Sequence, residues 1–310
     1  MKKKLAIIGA IEGTEDRLLE KDYLFLINTF IKNNKNTDID IHLLQPTNND
    51  ILPETKIELE RLGVVFNKNI SIYNQKDKDF NYTNKPIACN YFYEKISSDY
   101  EYFLWLDGDV FFKSKINLPD IKENEIMFLY NNEFFNKNKN KYIKFNSDDY
   151  NYDYKCYIDL KNKINLNNGL YEATNSWIIY GKSTSNIWKD WNTLTRLYIE
   201  GINKIGKDQF SFFKGSQNFE NRIEEFTLDI AIKNNNLKQI LPLNCHTFNS
   251  KDSDCIEYTE EYNNKNNIIH YDSSVYIKSN KQLLKYFDNP YLKTLFIKIY
   301  GMVHYKKFLN

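Results

Sequence analysis

Apolar positions along this chain fall into short solid runs that alternate with stretches of helical spacing. Lys4 to Ile8 is an apolar run behind a lysine cluster and predicts a buried first strand ending at Gly9. Leu18 to Lys32 spaces Leu18, Leu19, Tyr23, Phe25, Leu26, Thr29 and Phe30 as one helix face does. Asp40 to Leu44 predicts a second strand, closed by Gln45-Pro46-Thr47, and Pro53 to Leu62 a helix with proline near its start. Val64 to Phe66 and Ile70 to Tyr73 read as short strands, Pro86 to Ser97 as a helix and Tyr102 to Leu106 as a strand. Further on come a strand at Trp177 to Tyr180, helices at Ile187 to Tyr198 and Ile223 to Lys233, and strands at Ile240 to Leu243 and Ile268 to Tyr271. The alternation predicts an α/β chain with a parallel, doubly wound sheet. Ligands of such sheets bind beyond the carboxyl ends of the strands, so residues 9–12, 45–47 and 107–109 are expected to line one cleft. Gly9, Ala10 and Ile11 are its first candidate ligand contacts.

The most informative segment is Leu104 to Phe112, where two apolar runs flank Asp107-Gly108-Asp109. Physically this is a buried strand that delivers two carboxylates to its end. Two hard oxygen donors one residue apart suit Mg²⁺ or Mn²⁺ shared with a substrate phosphate. The alternative is a plain hairpin turn built on Gly108. The flanking runs speak against it, because they do not alternate apolar and polar as a half-exposed hairpin does.

Composition narrows the picture without deciding it. The chain has 310 residues, enough for a sizeable core, and a net charge of +1, which gives no field for nucleic acid. Its 24 Tyr and 21 Phe suit stacking on sugars as well as a large aromatic core. The four cysteines, Cys89, Cys156, Cys245 and Cys255, have no Cys-x-x-Cys spacing and fit a reduced, cytoplasmic setting. The first apolar run is too short for a secretory leader, and no stretch is long and apolar enough to span a bilayer. Residues 131–168 are rich in Asn, Lys, Tyr and Asp and read as a long excursion, with a small hairpin around Tyr154 to Leu160.

A set of motifs in order along the chain resembles the nucleotide-sugar glycosyltransferases of the GT-A fold, in particular the glycogenin-like and galactosyltransferase-like group. Asp107-Gly108-Asp109 resembles its Asp-x-Asp motif. Thr83-Asn84-Lys85-Pro86-Ile87-Ala88 opens the preceding helix, where that group carries a cation for the diphosphate. Asn175-Ser176 resembles the segment that touches the donor sugar, with Trp177 in place of the usual glycine. Glu224-Glu225-Phe226-Thr227-Leu228-Asp229 followed by Leu241-Pro242-Leu243 resembles the group's acidic helix and Leu-Pro strand. Glu225 is the favoured acid there, and Asp208-Gln209 matches the usual dipeptide out of context. Ile268-Ile269-His270 resembles the late histidine segment, with His246 as its competitor.

The resemblance implies a GT-A-type doubly wound mixed sheet with a Rossmann-like nucleotide-binding half, 1–112, and an acceptor half, 113–290, in one catalytic domain. It implies Mn²⁺ or Mg²⁺ on Asp107, Asp109 and His270, with Lys85, Asn175 and Ser176 as donor contacts and Glu225 and Asp229 as catalytic acids. The implied reaction moves a hexose from a nucleotide diphosphate sugar, a UDP-sugar first, to a hydroxyl of a carbohydrate acceptor with retention. Alternatives are a metal-dependent nucleotidyl- or phosphotransferase and a non-catalytic carbohydrate-binding protein. Gly9-Ala10-Ile11-Glu12-Gly13-Thr14 is a poor match to a phosphate loop. Finally, Tyr291, Leu292, Leu295, Phe296, Ile299, Tyr300 and Val303 predict an amphipathic helix over 291–310, edged by Lys293, Lys298, Lys306 and Lys307. Such a helix either docks on the catalytic core or lies on an anionic membrane surface.

Overall fold

The computed structural model describes residues 3–35, 37–70, 82–130, 174–205, 223–240, 245–247, 268–271 and 283–301. In chain order the elements are β1 (Lys3–Ala10), α1 (Leu18–Asn33), β2 (Ile39–Gln45), α2 (Pro53–Arg61), β3 (Val64–Lys68), α3 (Asn84–Ile96), β4 (Tyr100–Leu106), β5 (Val110–Phe112), β6 (Glu125–Tyr130) and β7 (Thr174–Lys182). They continue with α4 (Ile187–Ile205), α5 (Ile223–Asn234), β8 (Lys238–Ile240), β9 (Cys245–Thr247), β10 (Ile268–His270), a 3-10 turn over Leu283–Asp288 and α6 (Pro290–Tyr300).

The main sheet has the strand order β3-β2-β1-β4-β7-β6-β8, and β5-β10-β9 form a second, three-stranded sheet. β1 runs parallel to β4, with Leu5 opposite Tyr102 and Ile8 opposite Trp105, and β2 runs parallel to β3. β6 is antiparallel to β7, so the sheet is mixed, and the pairing shifts at a bulge between Phe128 and Leu129. Of the strand expected at Ile240 to Leu243, only Ile240 is described, and it lies in β8. β8 pairs with β6, Lys238 opposite Glu125 and Ile240 opposite Met127. The helix expected from Pro86 begins at Asn84, because proline in a first turn gives up an N–H that has no helical partner there. Ile70 is not in a strand; 71–73, the 131–168 excursion with its hairpin, Asp208-Gln209 and Leu241-Pro242-Leu243 lie outside the described residues.

The chain divides into two compact units. The first holds most of β1 and β4 with α3, β6, β7, α4, α5 and β8. Its strands are solid apolar runs because both faces are covered: Phe103, Leu104, Trp105, Ile178 and Ile179 are all buried. Two buried tryptophans pin α4. Trp188 Nε1 donates to the carbonyl of Lys182 at 2.8 Å and Trp191 Nε1 to that of Glu224 at 2.7 Å. Each ring thus buries its area with its one donor satisfied.

The second unit holds α1, β2, α2, β3, β5, β9, β10 and α6. α1 packs on β5, where the Phe112 amide donates to Thr29 Oγ1 at 3.1 Å and Asn33 Nδ2 to the Phe112 carbonyl at 2.8 Å. α6 starts on Pro290 behind Asn289, whose side chain accepts from the amides of Tyr291 and Leu292. Its stripe faces the core. Leu292, Leu295, Phe296 and Tyr300 are buried with Phe25, Phe111, Ile269, Tyr271, Tyr286 and Phe287, and the Phe25 and Phe296 rings meet edge to face at 5.8 Å. The apolar surface that a membrane would take is therefore spent on docking, while Val303 lies outside the described residues. Among the described residues no helix is long and apolar enough to cross a membrane.

One charged group is buried in this aromatic core. Asp22 of α1 is 2% exposed, and its Oδ1 accepts from the hydroxyls of Tyr271, at 2.9 Å, and Tyr300. The two hydroxyls also lie 2.6 Å apart. Burial, then the Asp22 charge, pushes both phenols well above the ordinary tyrosine range.

Two outcomes follow. Phe296→Ala is expected to cost about 3–5 kcal/mol in urea unfolding, as for other buried phenylalanines. The raised phenols favour the protonated folded state, so their contribution is intact below the unfolded tyrosine value of about 10 and is lost as pH rises past it. Stability measured between pH 8 and 11 is expected to fall beyond about 10, and less steeply in Tyr300→Phe.

Candidate functional site

Asp107-Gly108-Asp109 sits between β4 and β5, which belong to different sheets, so the segment is a hand-over and not a hairpin. β10 pairs antiparallel with β5, setting His270 opposite Val110. The Tyr271 amide then donates to the Asp109 carbonyl at 3.0 Å. This register brings a residue more than 150 positions further along the chain beside the Asp pair. His270 Nε2 lies 3.2 Å from Asp109 Oδ1. One ligand atom from each of Asp107, Asp109 and His270 falls within 4.8 Å of the others, and all three residues are half-buried. Two carboxylates and an imidazole at that spacing can hold a divalent cation, so the donor set fits the group that the sequence implies. His246 of β9 pairs with Ile269, one register step from His270.

The strand ends around this group are braced by a residue the sequence reading treated only as helix core. The hydroxyl of Tyr23 accepts from the Ala10 amide at 3.1 Å and donates to the Leu106 carbonyl at 3.4 Å. Its ring fills the space that side chains would need at two glycines. A Cβ on Gly9 would lie 2.6 Å from the hydroxyl, and one on Gly108 would lie 3.0 Å from the ring. Burial, followed by the Asp107 charge, pushes the Tyr23 phenol well up, so it stays a neutral hydrogen-bonding group. In the sequence Gly9 and Gly108 lie 14 and 85 positions from Tyr23, so only the fold shows that they share its ring.

At the end of β1 two of the expected contact residues have their amides hydrogen-bonded within the protein. The Ala10 amide is engaged by Tyr23, and the Ile11 amide donates to the Leu44 carbonyl at 2.9 Å. Gly13 lies where a Cβ would be 2.1 Å from the Asp50 carbonyl oxygen, so its smallness serves chain packing and not a phosphate. Thr47 Oγ1 donates to Glu12 Oε2 at 2.8 Å, joining the loops after β1 and β2.

In the first unit the structure gathers a second polar group. Lys85, in the first turn of α3, donates from Nζ to Ser176 Oγ at 2.9 Å and lies 3.8 Å from Glu224 Oε1. Ser176 Oγ in turn donates to Glu224 Oε1 at 3.4 Å. Lys85 is 9% exposed and Glu224 3%, so this is a buried ion pair with a hydroxyl between its ends. Glu224 therefore faces inward from its helix. Glu224 opens α5 beneath Trp191, whose ring nitrogen holds its carbonyl, while the favoured Glu225 is half-buried beside it. A single sequence does not separate two adjacent glutamates; the helix phase does. The backbones of Asn175 in β7 and Asp229 in α5 are placed on elements that carry this cluster.

Removing one partner from such a pair leaves a buried charge poorly compensated. A double-mutant cycle of Lys85→Met and Glu224→Gln, read by urea unfolding, is expected to return a coupling of about 0.5–3 kcal/mol. Additive losses would mean that the two groups do not interact.

No protein-family model matches the chain, and no curated protein matches it in sequence. Among solved structures the chain is similar to the apo structure of the bifunctional glycosyltransferase WbbM, with a TM-score of 0.55 and 14% identity. The match covers 100% of this chain and 52% of that one, so the chain spans about half the length of that neighbour. With the strand order above, the likeness gives the chain a mixed α/β fold of the GT-A-like, Rossmann type.

Proposed function

We propose that this chain is a metal-dependent glycosyltransferase that moves a hexose from a nucleotide diphosphate sugar, a UDP-sugar first, to a hydroxyl of a carbohydrate acceptor. The observation that carries the reading is the Asp107–Asp109–His270 group, with ligand atoms within 4.8 Å of one another on a glycosyltransferase-type fold. The two carboxylates suit Mg²⁺ or Mn²⁺, and the imidazole favours Mn²⁺ of the two. When bound, the cation would supply Lewis-acid stabilisation for the charge that develops on a diphosphate leaving group.

The remaining roles belong to the chain's own residues. Asp107, Asp109 and His270 hold the cation and orient the diphosphate. Lys85 offers an ammonium to phosphate from the first turn of a helix, an arrangement supported by its fixed position on Ser176 and Glu224. Ser176 and Asn175 orient the donor sugar. Retention needs no strong protein base, because the departing phosphate can take the acceptor proton. Glu225 then orients the acceptor or stabilises the positive anomeric centre, and Glu225 or Asp229 is the base in an inverting enzyme. Membrane contact by α6 has no part in this proposal, since its apolar stripe is buried.

A thermal-shift series with UDP and UDP-hexoses, with and without Mn²⁺, tests the reading. Mn²⁺-dependent stabilisation is expected; stabilisation by neither metal nor nucleotide would end it. Asp109→Ala is expected to abolish Mn²⁺-dependent nucleotide binding in calorimetry while the circular dichroism spectrum is retained. Unchanged metal-dependent binding in that variant would remove the metal assignment.

A further inference from the structure

We propose that the adjacent α1 residues Asp22 and Tyr23 are positioning residues that fix the spacing between the two arms of the Asp107–Asp109–His270 group. The inference rests on the metal-site reading above and extends it to residues that hold no ligand themselves. The Asp arm is set by Tyr23. Its hydroxyl spans the Ala10 amide and the Leu106 carbonyl, one residue before Asp107, and its ring lies against Gly108. The histidine arm is set by Asp22. Its carboxylate holds the hydroxyl of Tyr271, the residue next to His270, and Tyr271 in turn donates its amide to the Asp109 carbonyl. Both anchors are buried, and both come from one turn of one rigid helix, so the arms are referenced to a common frame. Tyr300 meets the same carboxylate from α6 and contributes to docking, but it is one step further from the ligands.

Outer groups that orient metal ligands typically change metal affinity by 10–100-fold when removed. Three variants separate positioning from mere stability. Tyr23→Phe keeps the ring and loses the hydroxyl that joins the strand ends. It is expected to weaken Mn²⁺ binding about tenfold, measured on the apo protein by paramagnetic resonance of free Mn²⁺. Tyr300→Phe is expected to lower the melting temperature while leaving Mn²⁺ affinity within about twofold, because the Asp22–Tyr271 bond survives it. If Tyr23→Phe does not fold, Asp22→Asn replaces it and is expected to weaken Mn²⁺ binding through the histidine arm.

Equal Mn²⁺ affinity in the wild type and in a folded Tyr23→Phe protein would overturn the positioning role and leave the metal site standing. Affinity that falls in all variants in proportion to melting temperature would overturn it as well, reducing the effect to stability. A wild-type protein that takes up no Mn²⁺ would overturn both the site and the inference.

Discussion

A carboxylate buried in an aromatic core must find donors, and in this chain that requirement ties the fold together. Asp22 is surrounded by phenylalanines and tyrosines, and it is accommodated because two phenol hydroxyls converge on it. Both hydroxyls help to offset the desolvation that burial imposes on a carboxyl group. The arrangement therefore specifies where three segments go: the first helix, the residue after β10 and the last turn of α6. The apolar contacts around them supply most of the burial, but those contacts tolerate small displacements. The hydrogen bonds do not.

The metal group follows from the same geometry. A strand that leaves one sheet and starts another must turn, and the turn here is made of two acids around a glycine pressed on Tyr23. β10 then enters beside β5 in a register that sets His270 against that turn. The site is thus assembled from backbone pairing, with side-chain chemistry added at positions the pairing has already fixed. The Lys85–Ser176–Glu224 cluster is built differently, from a helix start, a strand and a second helix start, and depends on side-chain reach.

Much of the local structure was legible in the pattern of apolar residues. Strands such as Tyr100–Leu106 and helices such as Leu18–Asn33 end within two residues of where spacing puts them, because burial on both faces leaves a solid run and burial on one leaves a stripe. The Asp-Gly-Asp segment was legible because acids bounded by apolar runs are rare. What failed to show in one sequence is what depends on distant closure. β8 begins as early as Lys238 because its partner is β6, more than a hundred residues earlier. Glu224 and Glu225 looked alike until the helix phase turned one inward. Asp22 gives no sign of its role in the apolar spacing, since its partners lie 249 and 278 residues away. Tyr23 read as ordinary core, since hydrophobic spacing carries no information about a hydroxyl.

That separation has a consequence for synthesis. While the chain grows on the ribosome, α1 emerges well before its partners, with its acid and its apolar face together. Its second phenol arrives only when Tyr300 leaves the exit tunnel, 278 residues after Asp22. Until then α1, β2 and β3 can form local contacts, but the aromatic core has no way to close around Asp22. The nascent chain thus carries an apolar helix that waits exposed while the intervening residues are made, the condition under which chaperones engage and early aggregation competes with folding. A unit anchored by a contact that spans 278 residues closes only once all of them are present.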